Sequence, residues 1–377
     1  MAWSPITISS GANVEPSAIA VADINVDGLP DVVVGYGGTT GSTPEIVIFF
    51  QTTPTRFQRI SLLQGPGALG VRTFAIADIS GDGRLDLIAA CNGQLIYLRQ
   101  GESALNPFTW VSDVISGSSG AGLGQWTDVA LVQLDGLFAP DLVACNGDPG
   151  RLIWFRSPQF PLNGNGWTPI GIDTATRAGA SALVIEDIDR DNLPDVMSAA
   201  AGESQATLAW YRNPGLTVDP TQPWLRFAVT GFAQPTRIAV ADVDRDGRSD
   251  VIACSPTQRR IGWFQQPVDL TEPAWQGYVL ADFSTNTPVD LIAADVEVNG
   301  QPDVVVATAD VGGLRWFTPI NSVQSRWVEN NLADFSLNVN RIAMGDIDRD
   351  GRIDVAAALL GATASEDTVA WFLNPEF

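Results

Sequence analysis

The groups in this chain best suited to chemistry are carboxylates, and they recur at one spacing. Six segments follow the pattern D-x-[DNS]-x-[DN]-[GN]-x-x-D or a close variant of it. Their positions 1, 3, 5 and 9 are Asp23, Asn25, Asp27 and Asp31; Asp78, Ser80, Asp82 and Asp86; and Asp187, Asp189, Asp191 and Asp195. The other three sets are Asp242, Asp244, Asp246 and Asp250; Asp295, Glu297, Asn299 and Asp303; and Asp346, Asp348, Asp350 and Asp354. Four acids within nine residues, as from Asp242 to Asp250, repel one another unless a counter-charge sits between them. Gly247 at position 6 permits the turn that wraps the loop around a centre. Side-chain oxygens at 1, 3, 5 and 9 with a backbone carbonyl at 7 make an all-oxygen cage suited to Ca²⁺. An EF-hand is excluded, because position 12 holds Val34, Ala89, Ser198, Ala253, Val306 or Ala357 where a bidentate Glu is required.

Up to six structural Ca²⁺ ions are therefore expected, with weaker sites where Ser80 or Glu297 and Asn299 replace carboxylates. A seventh segment, with Gln133, Asp135, Leu137, Phe138 and Asp141, has lost positions 1 and 5 and is expected to hold no metal.

Composition narrows the remaining chemistry. The 377 residues include no His, and all 21 cations are Arg, against 43 acids and a net charge of −22. That removes His-based triads, His-ligated zinc, Schiff-base lysines and P-loop lysines. So acidic a chain is not expected to bind nucleic acid or an anionic membrane surface, and no apolar stretch is long enough for a membrane span. Three cysteines, Cys91, Cys145 and Cys254, do not make a disulfide framework.

The acidic loops need a scaffold, and it repeats with them. Loop starts at Asp23, Asp78, Gln133, Asp187, Asp242, Asp295 and Asp346 are 55, 55, 54, 55, 53 and 51 residues apart. Each unit reads as four short strands, with strand A running into the loop and strand B leaving it (Asp250-Val-Ile-Ala). Strand C carries an aromatic pair such as Trp210-Tyr211 or Trp371-Phe372, and strand D opens on Phe57, Trp110, Trp167, Trp224, Trp275 or Trp327. Seven four-stranded units imply an all-β fold, a seven-bladed β-propeller filling residues 1–377 as a single domain. The last unit lacks strand D, and Trp3 to Ile8 fits that pattern, so the N-terminal strand is expected to close the last blade. The cysteines are assigned to one equivalent position at the end of strand B, as small core residues too far apart to bond. Eleven of the twelve tryptophans belong to the repeat as packing residues, which leaves Trp126 over.

Strand–DxDxDGxxD–strand units repeated seven times resemble the FG-GAP/VCBS repeat family, which includes integrin α-subunit propellers and fungal lectins. The segments Trp210-Tyr211-Arg212-Asn213-Pro214 and Trp371-Phe372-Leu373-Asn374-Pro375 are similar to its bacterial VCBS-type variant. The resemblance implies Ca²⁺ loops on one face and ligand recognition by the D–A and B–C loops on the other. Five positions before each loop start lie Ala18, Thr73, Asp128, Ala182, Arg237, Asp290 and Arg341, read as a charged ring at the channel mouth. Trp126, Asp128, Arg237, Asp290 and Arg341 are the ligand-binding candidates, and no catalytic residue is assigned.

Three readings of function stay open. The first is a calcium-stabilised, non-catalytic, lectin- or adhesion-like module that binds a glycan or protein ligand. The second is a structural or assembly subunit of an extracellular complex, and the third a carboxylate-dependent lyase or glycosidase. Residues Met1–Pro5 show no signal-peptide pattern, yet loops of this kind fill readily at extracellular calcium. The expected place is secreted or cell-surface, with the cytosol as the alternative. The six loops hold 21 of the 43 acids, so much of the negative charge is metal-binding capacity rather than surface character.

Overall fold

The computed structural model describes residues 3–10, 15–37, 43–119, 124–137, 139–173, 177–204, 207–215, 224–270, 275–310, 313–320, 326–335 and 337–375. Phe138 of the seventh acidic segment lies outside the described residues. The described chain forms seven four-stranded antiparallel sheets, a seven-bladed β-propeller. Blade 5 shows the unit: strand A is Arg237–Ala241, B is Asp250–Ser255, C is Arg260–Gln265 and D is Gln276–Asp282. Strand A of every blade packs against strand A of both neighbours, so the seven A strands line the axis.

A blade has no core of its own. Strand B is buried over its first six residues in each blade, and its alternate residues face opposite neighbours. In blade 1, Val32, Val34 and Tyr36 pack toward blade 7, whereas Val33 packs toward blade 2. The buried apolar side chains accordingly gather in seven clusters, one at each junction between blades. This explains why strand B reads as a continuous apolar run instead of alternating with polar residues.

The three cysteines obey the same alternation, and here the single equivalent position needs correcting. Cys145 and Cys254 lie four residues beyond the loop's last Asp, but Cys91 lies five beyond it. One residue reverses the face: Cys91 packs into the junction with the preceding blade, the other two into the junction with the following one. All three are buried and free.

The ring closes as the termini imply. Blade 7 consists of Asn338–Gly345, Asp354–Leu360 and Thr368–Leu373, with Ser4–Ser10 as its outer strand. Ile6 pairs with Trp371 and Thr7 with Ala370 in antiparallel register. Trp3 is 4% exposed and meets Trp316 of blade 6, with ring centroids 5.8 Å apart. Deleting residues 1–8 is expected to lower the melting temperature of the whole molecule, and Trp3→Ala to cost about 3–5 kcal/mol. Chemical denaturation checks both, and a truncated chain that melts like the full one would sink the closure argument.

Candidate metal centres and the axial pocket

Each acidic loop is a short arch held by its own carboxylates. In blade 5, Asp242 Oδ1 accepts from Asp246 N at 3.0 Å and Oδ2 from Gly247 N at 2.8 Å. Asp246 Oδ1 then accepts from Arg248 N at 2.8 Å. The same bonds recur from Asp23, Asp187, Asp295 and Asp346, and Asp78 holds Asp82 N and Gly83 N alike. Folding five residues around one side chain requires left-handed backbone twice. Position 6 supplies it with Gly, or with Asn192 in blade 4. Position 4 also adopts it, at φ 57° for Val26 and 53° for Val298, where a β-branched side chain is strained.

Three loops bring three carboxylates together, with ligand oxygens all within 4.8 Å of one another. They are Asp187, Asp189 and Asp195; Asp242, Asp244 and Asp246; and Asp346, Asp348 and Asp354. An all-oxygen, multiply charged donor set of this kind fits a hard divalent cation. Burial and the neighbouring acids raise the pKa of Asp189, Asp244 and Asp348, even though Arg212 Nε pairs with Asp189 Oδ2 at 2.5 Å. The loops of blades 1, 2 and 6 substitute Asn25, Ser80 and Asn299 and assemble no such trio among the described residues.

The last Asp of six loops does a second job, Asp303 of blade 6 being the exception. Asp250 is fully buried, and its Oδ2 accepts from Val243 N at 3.2 Å while Oδ1 accepts from Gln266 N at 2.8 Å. It thus clasps the loop to the end of strand C. Asp31, Asp86, Asp141, Asp195 and Asp354 repeat the clasp, reaching Gln51, Gln100, Ser157, Asn213 and Asn374. Burial drives these carboxyls upward, to about 7 for Asp31, Asp195 and Asp250 and about 6 for Asp141, Asp303 and Asp354.

Blade 3 separates the two jobs. Asp141 keeps the clasp, but Gln133 replaces the first carboxylate. Its Nε2 donates to the carbonyls of Leu137 at 3.1 Å and Ala139 at 3.2 Å. Ala139 is loop position 7, whose carbonyl a cation would claim elsewhere. An internal amide donor therefore stands where the other loops have room for a positive ion.

The amides at the end of strand C were missed in the sequence as anything but a family mark. Gln51 Nε2 donates to Ile347 O, Asn213 Nδ2 to Leu134 O, Gln266 Nε2 to Ile188 O and Asn374 Nδ2 to Val296 O. With its amide oriented to donate, Gln100 reaches Ile24 O at 3.2 Å. Every acceptor is position 2 of the preceding blade's loop, so these side chains latch blade to blade. The Asn of the W-[FY]-x-N-P segments is such a latch. Their recurrence three residues after the first aromatic of the pair, as in Trp210 and Asn213, Trp263 and Gln266, and Trp371 and Asn374, was the available signal.

The opposite end of the axis differs from the expected charged ring. Ala18 and Ala182 are buried. Trp126 is corrected: it is fully buried, donates from Nε1 to Ser118 O at 3.1 Å and packs edge-on against Phe155. It seals the junction of blades 2 and 3 and offers no face to a ligand. Asp128 Oδ2 accepts from Leu183 N, and Asp290 Oδ2 from Ile342 N, both at 3.0 Å on the next blade. These acids are tied to backbone donors, whereas Arg237 and Arg341 face a cavity of about 290 Å³ on the axis. Arg237 Nε also lies 3.4 Å from Asp290 Oδ1. Among the B–C loop residues, Tyr36 and Asn146 are buried and Glu203 pairs with Arg177 and Arg226.

Most of the cavity wall comes from the residue one place earlier: Arg72, Thr127, Ser181, Thr236, Val289 and Asn340. A β-bulge in strand A at this place in blades 3, 4, 6 and 7 turns the extra side chain toward the axis. Several also tie to the next blade, Thr127 Oγ1 to Ala180 O at 2.8 Å and Ser181 Oγ to Pro235 O at 2.7 Å. Periodicity alone could not place a bulge, but a polar residue at this place in six of seven repeats was legible.

Comparison with known proteins agrees with this geometry. The FG-GAP-like repeat family matches residues 23–89 and 187–253. A solved Agrocybe aegerita lectin, described for specific recognition of non-reducing terminal N-acetylglucosamine, is 16% identical with a TM-score of 0.56, over 96% of this chain and 86% of that one. BBS1N in complex with ARL6DN is 14% identical in two structures, with TM-scores of 0.57 and 0.59, over 99% of this chain and 97% of that one. At such identity the likeness shows the fold alone. No curated protein matches the chain.

Two outcomes follow from the clasp. Asp141→Asn removes an acceptor from a buried pair of N–H groups and is expected to cost about 1–3 kcal/mol with or without calcium, measured by urea denaturation. The raised carboxyls mean that the folded, metal-free chain binds more protons than the unfolded chain between pH 3.8 and about 7. Its stability therefore falls as pH rises through that window, and bound cations oppose the fall by favouring the ionised form. Metal-stripped protein should melt higher at pH 5.5 than at pH 8; the reverse order would count against buried, unneutralised carboxyls.

Proposed function

We propose, from the premise that the chain is a seven-bladed β-propeller carrying FG-GAP-like repeats, that it is a calcium-stabilised, non-catalytic module recognising a glycan or protein ligand. The observation that carries this reading is the division of the molecule into two ends. One end holds the A–B loops with their convergent carboxylates; the other holds an axial cavity walled by polar side chains from successive blades. The donor chemistry supports Ca²⁺: oxygen only, several charges, and loop backbone already folded around each centre. Bound calcium would neutralise carboxylates that otherwise repel, and so stabilise the junction ends of all the blades it occupies. The neighbours lend general support, one being a lectin for a terminal sugar and another standing in complex with ARL6DN. Sites this short and solvent-facing suit extracellular calcium, which favours a place outside the cytoplasm.

An assembly role draws on a different observation. Phe108 is 95% exposed and Phe160 72% exposed, on the C–D connections of adjacent blades 2 and 3. Sedimentation of the purified chain tests this second reading, and a monomer at all concentrations argues against self-assembly.

Calcium is expected to raise the melting temperature by mass action, about 2.7 kcal/mol per site at a concentration 100 times the Kd. Titration calorimetry should count up to six ions, and the double change Asp242→Asn with Asp244→Asn should remove one. A melt insensitive to EDTA after verified metal removal refutes the structural role. A glycan array run with and without EDTA tests recognition: calcium-dependent binding supports the module, and turnover of a polysaccharide overturns it.

A further inference from the structure

The axial cavity concentrates the wrong sign of charge for so acidic a protein. Arg72 from blade 2, Arg237 from blade 5 and Arg341 from blade 7 all line its wall, in a chain whose net charge is −22. They are close enough to perturb one another: burial, then Arg237, lowers the pKa of Arg72, and the same two causes bring Arg341 down to about 9. The nearby acids compensate only in part. Asp290 engages Arg237 and two backbone N–H groups, and Asp128 is held by Val129 N and Leu183 N. Among the described residues neither Arg72 nor Arg341 forms an ion pair. Arg72 Nη2 donates to the neutral Gln125 Oε1 at 2.7 Å, Arg341 Nη1 donates to its neighbour's carbonyl at Asn340, and Arg341 Nε is buried with no partner.

Arg72 and Arg341 are half-buried, and Arg341 Nε is enclosed. A guanidinium partly withdrawn from water without a counter-ion carries a cost that is recovered when an anion enters. Among the described residues, three arginines against two carboxylates leave one positive charge, which a monoanion neutralises and a phosphate dianion over-compensates. A volume of about 290 Å³ is small for a ligand pocket and admits a group of one-sugar size. No aromatic ring among the described residues lines the wall to stack on a neutral sugar, while Thr127, Ser181, Thr236 and Asn340 offer hydroxyl and amide partners for a polyol.

We propose that the axial cavity is the recognition site for a carboxylate-bearing sugar unit, whose carboxylate is gripped by Arg72 and Arg341 with Arg237 beside them. This rests on the binding-module reading and names the class of ligand the module takes. Glucuronate is the probe, with glucose, sulfate and triaspartate as comparators, titrated into the calcium-loaded full-length chain. Glucuronate should bind one to one, weaken as salt is raised, and lose at least tenfold in affinity in Arg341→Gln and in Arg72→Gln. Glucose should show no heat of binding.

A second readout guards against a variant that merely misfolds. Without any anion, Arg341→Gln should melt at or above the wild-type temperature, because an unpaired buried charge is gone. Glucuronate should raise the melting temperature of the wild type but not of the variant. The proposal is overturned by absence of glucuronate binding, by binding that both variants retain, or by tighter binding of triaspartate or sulfate. A glycan array positive only for neutral sugars overturns it too, yet leaves the binding-module reading standing.

Discussion

Neither face of a blade can be buried by the blade itself, and the molecule exists because seven such sheets bury one another in a ring. Strand B is apolar on both sides, so each sheet demands two neighbours. Four or six blades with an open end would leave two apolar faces in water, and an unpaired strand edge besides. Closure by Ser4–Ser10 against Thr368–Leu373 therefore matters to every junction, since it ties the beginning of the chain to its end. The polar bonds between blades are arranged around that constraint. At the loop end, strand-C amides reach back to the preceding blade; at the other end, bulge side chains reach forward to the next. Junctions are thus pinned at both ends, with apolar packing between.

The acidic loops sit on this frame in two layers. The inner layer is the buried last Asp, which needs no cation because backbone N–H groups supply its partners. The outer layer is the cage built on positions 1 and 3, completed by position 5 in blade 5 and by the last Asp itself in blades 4 and 7. Blade 3 shows that the layers are independent: the clasp persists with Asp141 after Gln133 has replaced the cage by an amide. Position-4 arginines extend the arrangement from loop to loop. Arg245 Nη2 donates to Asn299 O of the next blade, and a Cβ on Gly28 would lie 2.0 Å from the Arg349 guanidinium of blade 7. The guanidinium is the far end of a flexible side chain and can swing aside, so it is the φ of 84° that calls for glycine there.

Much of this was legible because a repeat multiplies every local signal by seven. One DxDxDGxxD loop is a weak clue, but six in register with strands on both sides fixed the fold, the blade count and the loop end of the molecule. Trp126 failed for an instructive reason. It was set apart from the repeat, yet it opens strand A of blade 3, paired with Asn146, and its side chain enters the junction there. Cys91 was misplaced by one residue, and in a strand that is the difference between one junction and the next.

The carboxylates that opened the sequence reading and the arginines of the axial pocket mark the boundary between the two sources of knowledge. Which residues could hold a cation was determined by sequence, because a loop of nine residues is local and its donors are neighbours along the chain. Which residues share the axial cavity was decided only by tertiary structure. Arg72, Arg237 and Arg341 come from three different blades, far apart in the chain, and in blade 7 a β-bulge turns Asn340, beside Arg341, to the wall as well. Their meeting follows from ring closure, a non-local condition that no spacing along the chain encodes.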